Sequence, residues 1–107
     1  MANRLKKITK SENLRGTRVI VTGCSYKPIN YIFTDITTGE PSHDSMYIDG
    51  AEMKMNIGTA IAGVLAKNGA KVHIVSTSEN KLSNIKSELE KDTGEGLIEY
   101  SALDLLD

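Results

Sequence analysis

The chain has one cysteine, no tryptophan, one phenylalanine and two prolines among its 107 residues. The lone cysteine, Cys24, excludes an internal disulfide and a multi-cysteine zinc site, and suits a reducing cytoplasm. Charge of one sign is also lacking. Thirteen basic and fourteen acidic side chains leave a net charge of -1, whereas a domain built to grip nucleic acid is strongly basic. No apolar run approaches the roughly 18 residues of a membrane-span candidate. The basic start, residues 1–10, lacks the apolar stretch of a secretory signal. What remains is 39% hydrophobic and 25% charged, the balance of a globular protein of one domain.

Charge is uneven along the chain. Residues 1–16 form a basic arm with Arg4, Lys6, Lys7, Lys10 and Arg15 against Glu12 alone, and residues 35–52 carry Asp35, Glu40, Asp44, Asp49 and Glu52 with no basic side chain. The arm reads as solvated and precedes the first strand, although it could also meet a nucleotide phosphate or an acidic partner.

Hydrophobic patterning divides the rest. Arg18-Val19-Ile20-Val21-Thr22-Gly23 reads as a strand buried on both faces. In 57–68, Ile57, Ile61, Val64 and Leu65 recur with helical spacing, and Gly69 follows where a cap is expected. Lys71-Val72-His73-Ile74-Val75 is a second strand, with His73 read as a core residue. A second helix over 79–91 carries the stripe Leu82, Ile85 and Leu89, and Ser76 with Glu79 suits a capping box. Residues 97–103 form a third strand. Strand, helix, strand, helix, strand requires parallel pairing and right-handed crossovers. The fold class is therefore α/β, a Rossmann-like doubly wound parallel sheet of which this is an incomplete, first β-α-β-α-β half.

Residues 24–55 interrupt that order. Such connections are normally a few residues long, and here about thirty intervene. Tyr31-Ile32-Phe33-Thr34 and Ser45-Met46-Tyr47-Ile48 are strand-like, with turn residues Thr38 to Ser42 between them. They predict a β-hairpin insertion standing above the carboxyl edge of the sheet. Its Glu40, His43 and Asp44 are too few and too close in sequence for a metal site.

Ligands of this architecture bind outside the carboxyl ends of the strands, where a helix amino terminus favours phosphate. Gly23 allows a sharp turn there, and Gly58 allows close backbone approach. Cys24, near that helix start, reads as structural.

Residues 14–23, 57–69 and 70–82, within a span of about seventy residues that the insertion splits, resemble the amino-terminal half of the short-chain dehydrogenase/reductases. That family opens with Thr-Gly, three residues, Gly, one residue, Gly. Thr22 and Gly23 match its start, Ile57 and Gly58 its end, and Asn56 replaces the middle glycine. The resemblance implies a single nucleotide-binding domain over 1–107, with Thr22, Gly23, Ser25, Asn56, Ile57 and Gly58 around the pyrophosphate. At the second strand's end, Ser76, Thr77 and Ser78 stand where an acidic residue would select NAD. The resemblance thus favours NADP, with NAD or CTP as alternatives. Asp104 and Leu105 would meet the adenine.

The resembled family's chemistry uses a serine and a Tyr-x-x-x-Lys. Four residues beyond Tyr26, Tyr31, Tyr47 and Tyr100 stand Asn30, Asp35, Ala51 and Asp104. The expectation is thus a cofactor-binding portion of a cytoplasmic oxidoreductase, inactive alone and without catalytic residues of its own. Two other readings compete. Residues 21–39 partly echo the nucleotide-binding core of phosphopantothenoylcysteine synthetase, through Pro28-Ile29-Asn30 and Thr37-Thr38-Gly39. A non-catalytic interaction module is the other. The expected partners are a dinucleotide and either a second copy or a missing carboxyl-terminal half, because the first strand would otherwise expose an unpaired edge, unless the insertion covers it.

Overall fold

The structure, a computed structural model, describes residues 10–29, 36–37, 45–94 and 96–103. Strand β1 (Arg18–Thr22) leads into an insertion holding β2 (Tyr26–Pro28), β3 (Ser45–Ile48) and β4 (Ala51–Met55). Helix α1 (Ile57–Lys67), β5 (Lys71–Ser76), α2 (Glu79–Thr93) and β6 (Ile98–Ala102) complete the order. Strands β1, β5 and β6 form a parallel sheet in the order β1-β5-β6. The α/β class and the Rossmann-like half-sheet are therefore present.

Among the described residues, the helices and the insertion cover one face of the sheet and leave the other open. Val72, Ile74 and Ile98 are fully buried with Leu82, Ile85 and Leu89 of α2. Arg18, Ile20, Thr22, Lys71 and Glu99 are exposed on the other face. There Lys71 Nζ lies 3.3 Å from Glu99, and its charge holds the Glu99 carboxyl below the ordinary carboxylate value. His73 belongs to this open face and not to the core. Its Nε2 lies 2.7 Å from Ser101 Oγ, and Glu99 is 3.7 Å from Nδ1. Strand β1 is likewise not buried on both faces, since it is the sheet's edge and α1 covers only one side of it.

Helix α1 also departs from the expected stripe. Its buried residues include Thr59, Ala62, Gly63 and Ala66, while Ile57 and Ile61 are exposed. Small side chains let the helix lie close to the sheet, and the larger isoleucines fall on its outer side. The chain before β1 is not a free arm over its described part. Ser11 N–H donates to Lys67 O at 2.8 Å and Leu14 N–H to Asn68 O, so residues from Ser11 on satisfy carbonyls at the end of α1.

The insertion is a three-stranded antiparallel sheet in the order β2-β4-β3. The expected strand over 45–48 is present, but it pairs with Ala51–Met55 through the turn at Asp49 (φ 52) and Gly50 (φ 81). Two consecutive positive φ angles suit the two-residue hairpin turn, for which Asp-Gly is a preferred pair. Residues 31–34 and 38–44, and with them Glu40, His43 and Asp44, lie outside the described residues. The small sheet packs against α2. Met46 and Ile48 share a buried cluster with Leu82, Ile85 and Leu89, and Asn84 Nδ2–H donates to the Tyr26 hydroxyl at 2.9 Å. The insertion therefore leaves the outer edge of β1 uncovered among the described residues.

Candidate functional site at the start of α1

The insertion leaves and re-enters the half-sheet at one point. Tyr26 pairs with Met55 in the β2–β4 ladder. Just below, Asn56 N–H donates to Ser25 O at 3.1 Å, and Ser25 N–H donates to Asn56 Oδ1 at 3.1 Å. The excursion is thereby closed at its foot, and the two halves of the glycine motif meet. A Cβ placed on Gly58 would lie 3.3 Å from Thr22 O and 3.4 Å from Gly23 O. Glycine at position 58 lets α1 begin directly against the end of β1. Gly23 (φ 75) makes the turn, and its N–H donates to Val75 O at 2.8 Å.

Asn56 takes the middle glycine's place and uses its side chain to organise the site. It is the N-cap of α1, with Oδ1 accepting from Thr59 N–H at 3.0 Å. Its Nδ2–H donates to Gly23 O. Thr59, fully buried, donates through its hydroxyl to Ser25 O at 2.8 Å and stands 2.9 Å from Ser25 N. Ile57 and Gly58, at the first two helical positions, have no carbonyl within the helix for their N–H groups. They remain the donors that an anion could use, reinforced by the helix dipole.

The mouth of the site is a cleft of about 630 Å³ lined by Ser25, Tyr26, Lys27, Lys54, Met55, Asn56, Ile57, Gly58 and Lys81. Among the described residues three lysines line it and no carboxylate does. Lys81 Nζ donates to Tyr26 O at 3.0 Å and Ser25 Oγ at 3.3 Å, and lies 5.3 Å from the centre of the Tyr26 ring. Lys27 and Lys54 face each other across the β2–β4 ladder. Like charges directly opposite on paired strands are unfavourable without a counter-charge.

The other expected residues divide. Ser76 ends β5 beside this point, and its carbonyl accepts from Leu103 N–H at 2.8 Å, so the carboxyl ends of all three parallel strands converge. Ser78, not Ser76, is the N-cap of α2, accepting from Lys81 N–H at 3.3 Å. The capping box expected from Ser76 and Glu79 is therefore displaced. Thr77 is exposed between them. Asp104 and Leu105 lie outside the described residues. Cys24 is fully buried, and burial pushes its thiol up to about 11. Thr59 and the three lysines were not legible in the sequence. Only the insertion's return to Ser25 brings Lys27 and Lys54 here, and only the turn of α2 brings Lys81.

Among the described residues no helix is long and apolar enough to cross a membrane, and no three His, Cys, Asp or Glu side chains cluster as metal ligands. No protein-family model matches this sequence, and no curated protein matches it. One solved structure is similar, a "putative short chain dehydrogenase" from Escherichia coli CFT073. It is 23% identical, with a TM-score of 0.56, over 94% of this chain and 31% of that one. The likeness is one of fold, and this chain spans about a third of that protein's length.

Proposed function

We propose that this chain is the nucleotide-binding portion of a short-chain-dehydrogenase-like oxidoreductase, forming one domain in which the pyrophosphate of NADP rests on the start of α1. The observation that carries this reading is the contact of Gly58 with Thr22 and Gly23 across the closed foot of the insertion. The exposed helix start, the three cleft lysines and the absence of a carboxylate among the described lining residues fit a polyanionic ligand. The fold shared with a protein described as a dehydrogenase supports a nicotinamide dinucleotide as that ligand.

Each residue then has a part. Ile57 and Gly58 N–H groups meet a phosphate, and Asn56 holds the loop and helix so that they point outward. Lys27 and Lys54 gain the counter-charge that their juxtaposition lacks. Ser76, Thr77 and Ser78 offer hydroxyl donors to a 2′-phosphate, with no carboxylate among the three to repel it. Lys81, three residues past Ser78, supplies a cation between this turn and Ser25. Asp104 and Leu105 would receive the adenine. A bound dinucleotide supplies the hydride; these residues bind and orient it, and the acid–base groups come from outside this stretch. The setting is cytoplasmic.

Titration calorimetry with NADPH, NADH, CTP and ATP tests the reading. NADPH binding tightest supports it. CTP binding tightest would transfer the chain to an amide-forming synthetase class, and no binding by any of the four would leave an interaction module.

A further inference from the structure

Three lysines outside the cleft have a carboxylate each. Lys71 lies 3.3 Å from Glu99, Lys86 3.1 Å from Glu90 and Lys91 2.7 Å from Glu88. Lys27 and Lys54 have no such partner among the described residues. Nor does Lys81, whose ammonium meets neutral oxygens of Ser25 and Tyr26. These three share one cleft, in a chain with more acidic than basic side chains.

The ladder sets their spacing. Asn56 N–H donates to Ser25 O at its foot, and the register continues with Tyr26 opposite Met55 and Lys27 opposite Lys54. Hydrogen-bonded and non-bonded pairs alternate in an antiparallel ladder, so Lys27 and Lys54 form a bonded pair with Cα atoms about 5.5 Å apart. Their side chains leave the same face of the small sheet, while Tyr26 and Met55 leave the other and are buried. Both lysines are exposed. Two ammonium groups at this spacing repel until an anion lies between them. Their long, rotatable stems let both close on one group.

We infer that Lys27 and Lys54 hold a phosphate monoester between them, with Lys81 adding a third positive charge to the same cleft. The inference rests on the proposed reading of this cleft as a phosphate site, and adds which kind of phosphate the insertion selects. Each phosphorus of a dinucleotide's pyrophosphate carries about one negative charge, whereas a monoester carries close to two at neutral pH. One monoester therefore matches two ammonium groups. The N–H groups of Ile57 and Gly58 carry only partial charge and suit the singly charged phosphates. The monoester is the 2′-phosphate of NADP or the phosphate of a second ligand bound beside the dinucleotide.

The probe is methyl phosphate, titrated into the full 107-residue chain and followed by amide chemical shifts. Saturable shifts should centre on Lys27 and Lys54 at about pH 7.5 and weaken at about pH 5, where the monoester has gained a proton. Sulfate, doubly charged at both, should show no such loss. Lys27→Ala and Lys54→Ala should each weaken methyl phosphate binding about tenfold, the loss of one charged hydrogen bond, with circular dichroism unchanged. Lys54→Arg keeps the charge and should retain binding. Competition identifies the source. The monoester is the 2′-phosphate if NADPH displaces methyl phosphate and Lys54→Ala costs NADPH more affinity than NADH. It belongs to a second ligand if methyl phosphate binds beside saturating NADPH and the two dinucleotides lose equally. No saturable binding of methyl phosphate, or binding indifferent to both alanine substitutions, would overturn the inference and leave NADPH binding at the helix start untouched. Methyl phosphate held by the lysines in a chain that binds no NADPH would overturn the dinucleotide reading and support this inference.

Discussion

Ser25 and Asn56 hold each other across the foot of the insertion. Asn56 N–H donates to Ser25 O at 3.1 Å, and Ser25 N–H donates to Asn56 Oδ1 at 3.1 Å. Everything proposed for the site depends on this closure, since it lets an insertion of about thirty residues sit inside a glycine motif without separating its ends.

Asn56→Ala should destabilise the chain by about 1–2 kcal/mol, the upper range for loss of an N-cap, because the ties to Gly23 and Ser25 go with it. Denaturant unfolding measures this. Asn56→Asp keeps an acceptor for Thr59 N–H but loses the donor to Gly23 O. It also places a carboxylate where phosphate is expected, so nucleotide affinity should fall more than stability does.

Gly58→Ala asks the carbonyls of Thr22 and Gly23 to retreat from contacts of 3.3 and 3.4 Å. The start of α1 must shift by a few tenths of an ångström. We expect affinity for NADPH to drop by about tenfold, a cost of roughly 1.4 kcal/mol, while circular dichroism shows an unchanged helix content. Calorimetry of the variant provides the check.

Lys27 and Lys54 face each other in the ladder, so removing one charge relieves a repulsion. Lys54→Ala should leave the free chain equally stable or more stable by some tenths of a kcal/mol. The same variant should bind the dinucleotide more weakly, and the difference from the parent should shrink in high salt. Thermal melts and calorimetry at two ionic strengths read both effects.

Burial keeps the Cys24 thiol neutral and raises its pKa from 9.0 to about 11. The folded chain holds that proton more tightly than the unfolded chain. The resulting stability is complete below the ordinary thiol pKa and is lost as pH rises through about 11. Unfolding free energy should therefore decline from about pH 9 upward, and Cys24→Ala should flatten that decline. At neutral pH the thiol should react with a disulfide reagent only when the chain unfolds.

The parallel half-sheet was legible because each strand ends at a glycine or polar turn and each helix has an apolar period. The side of α1 that is buried was not. Ile57, Ile61, Val64 and Leu65 carry the stronger hydrophobic signal, yet Thr59, Ala62 and Ala66 win the sheet face because small side chains allow closer approach. His73 misled for a related reason. An apolar run reads as buried on both faces, and here no described element covers one face. The hairpin signal Asp49-Gly50 was present in the sequence and marks the observed turn. In the site, Thr22, Gly23, Asn56 and Gly58 were expected together from the resemblance to a glycine motif, and the structure brings them into contact. Lys81 was not, because its place depends on how α2 meets the insertion.

The central claim is that the start of α1, seated on Gly23, is where the dinucleotide's phosphates rest. Amide chemical-shift mapping during titration with NADPH tests it most directly. The account predicts that the largest shifts fall on Gly23, Ile57 and Gly58, with smaller ones on Ser76, Thr77 and Ser78. Shifts confined to the open sheet face around Ile20 and His73, or no shifts at saturating NADPH, would contradict it.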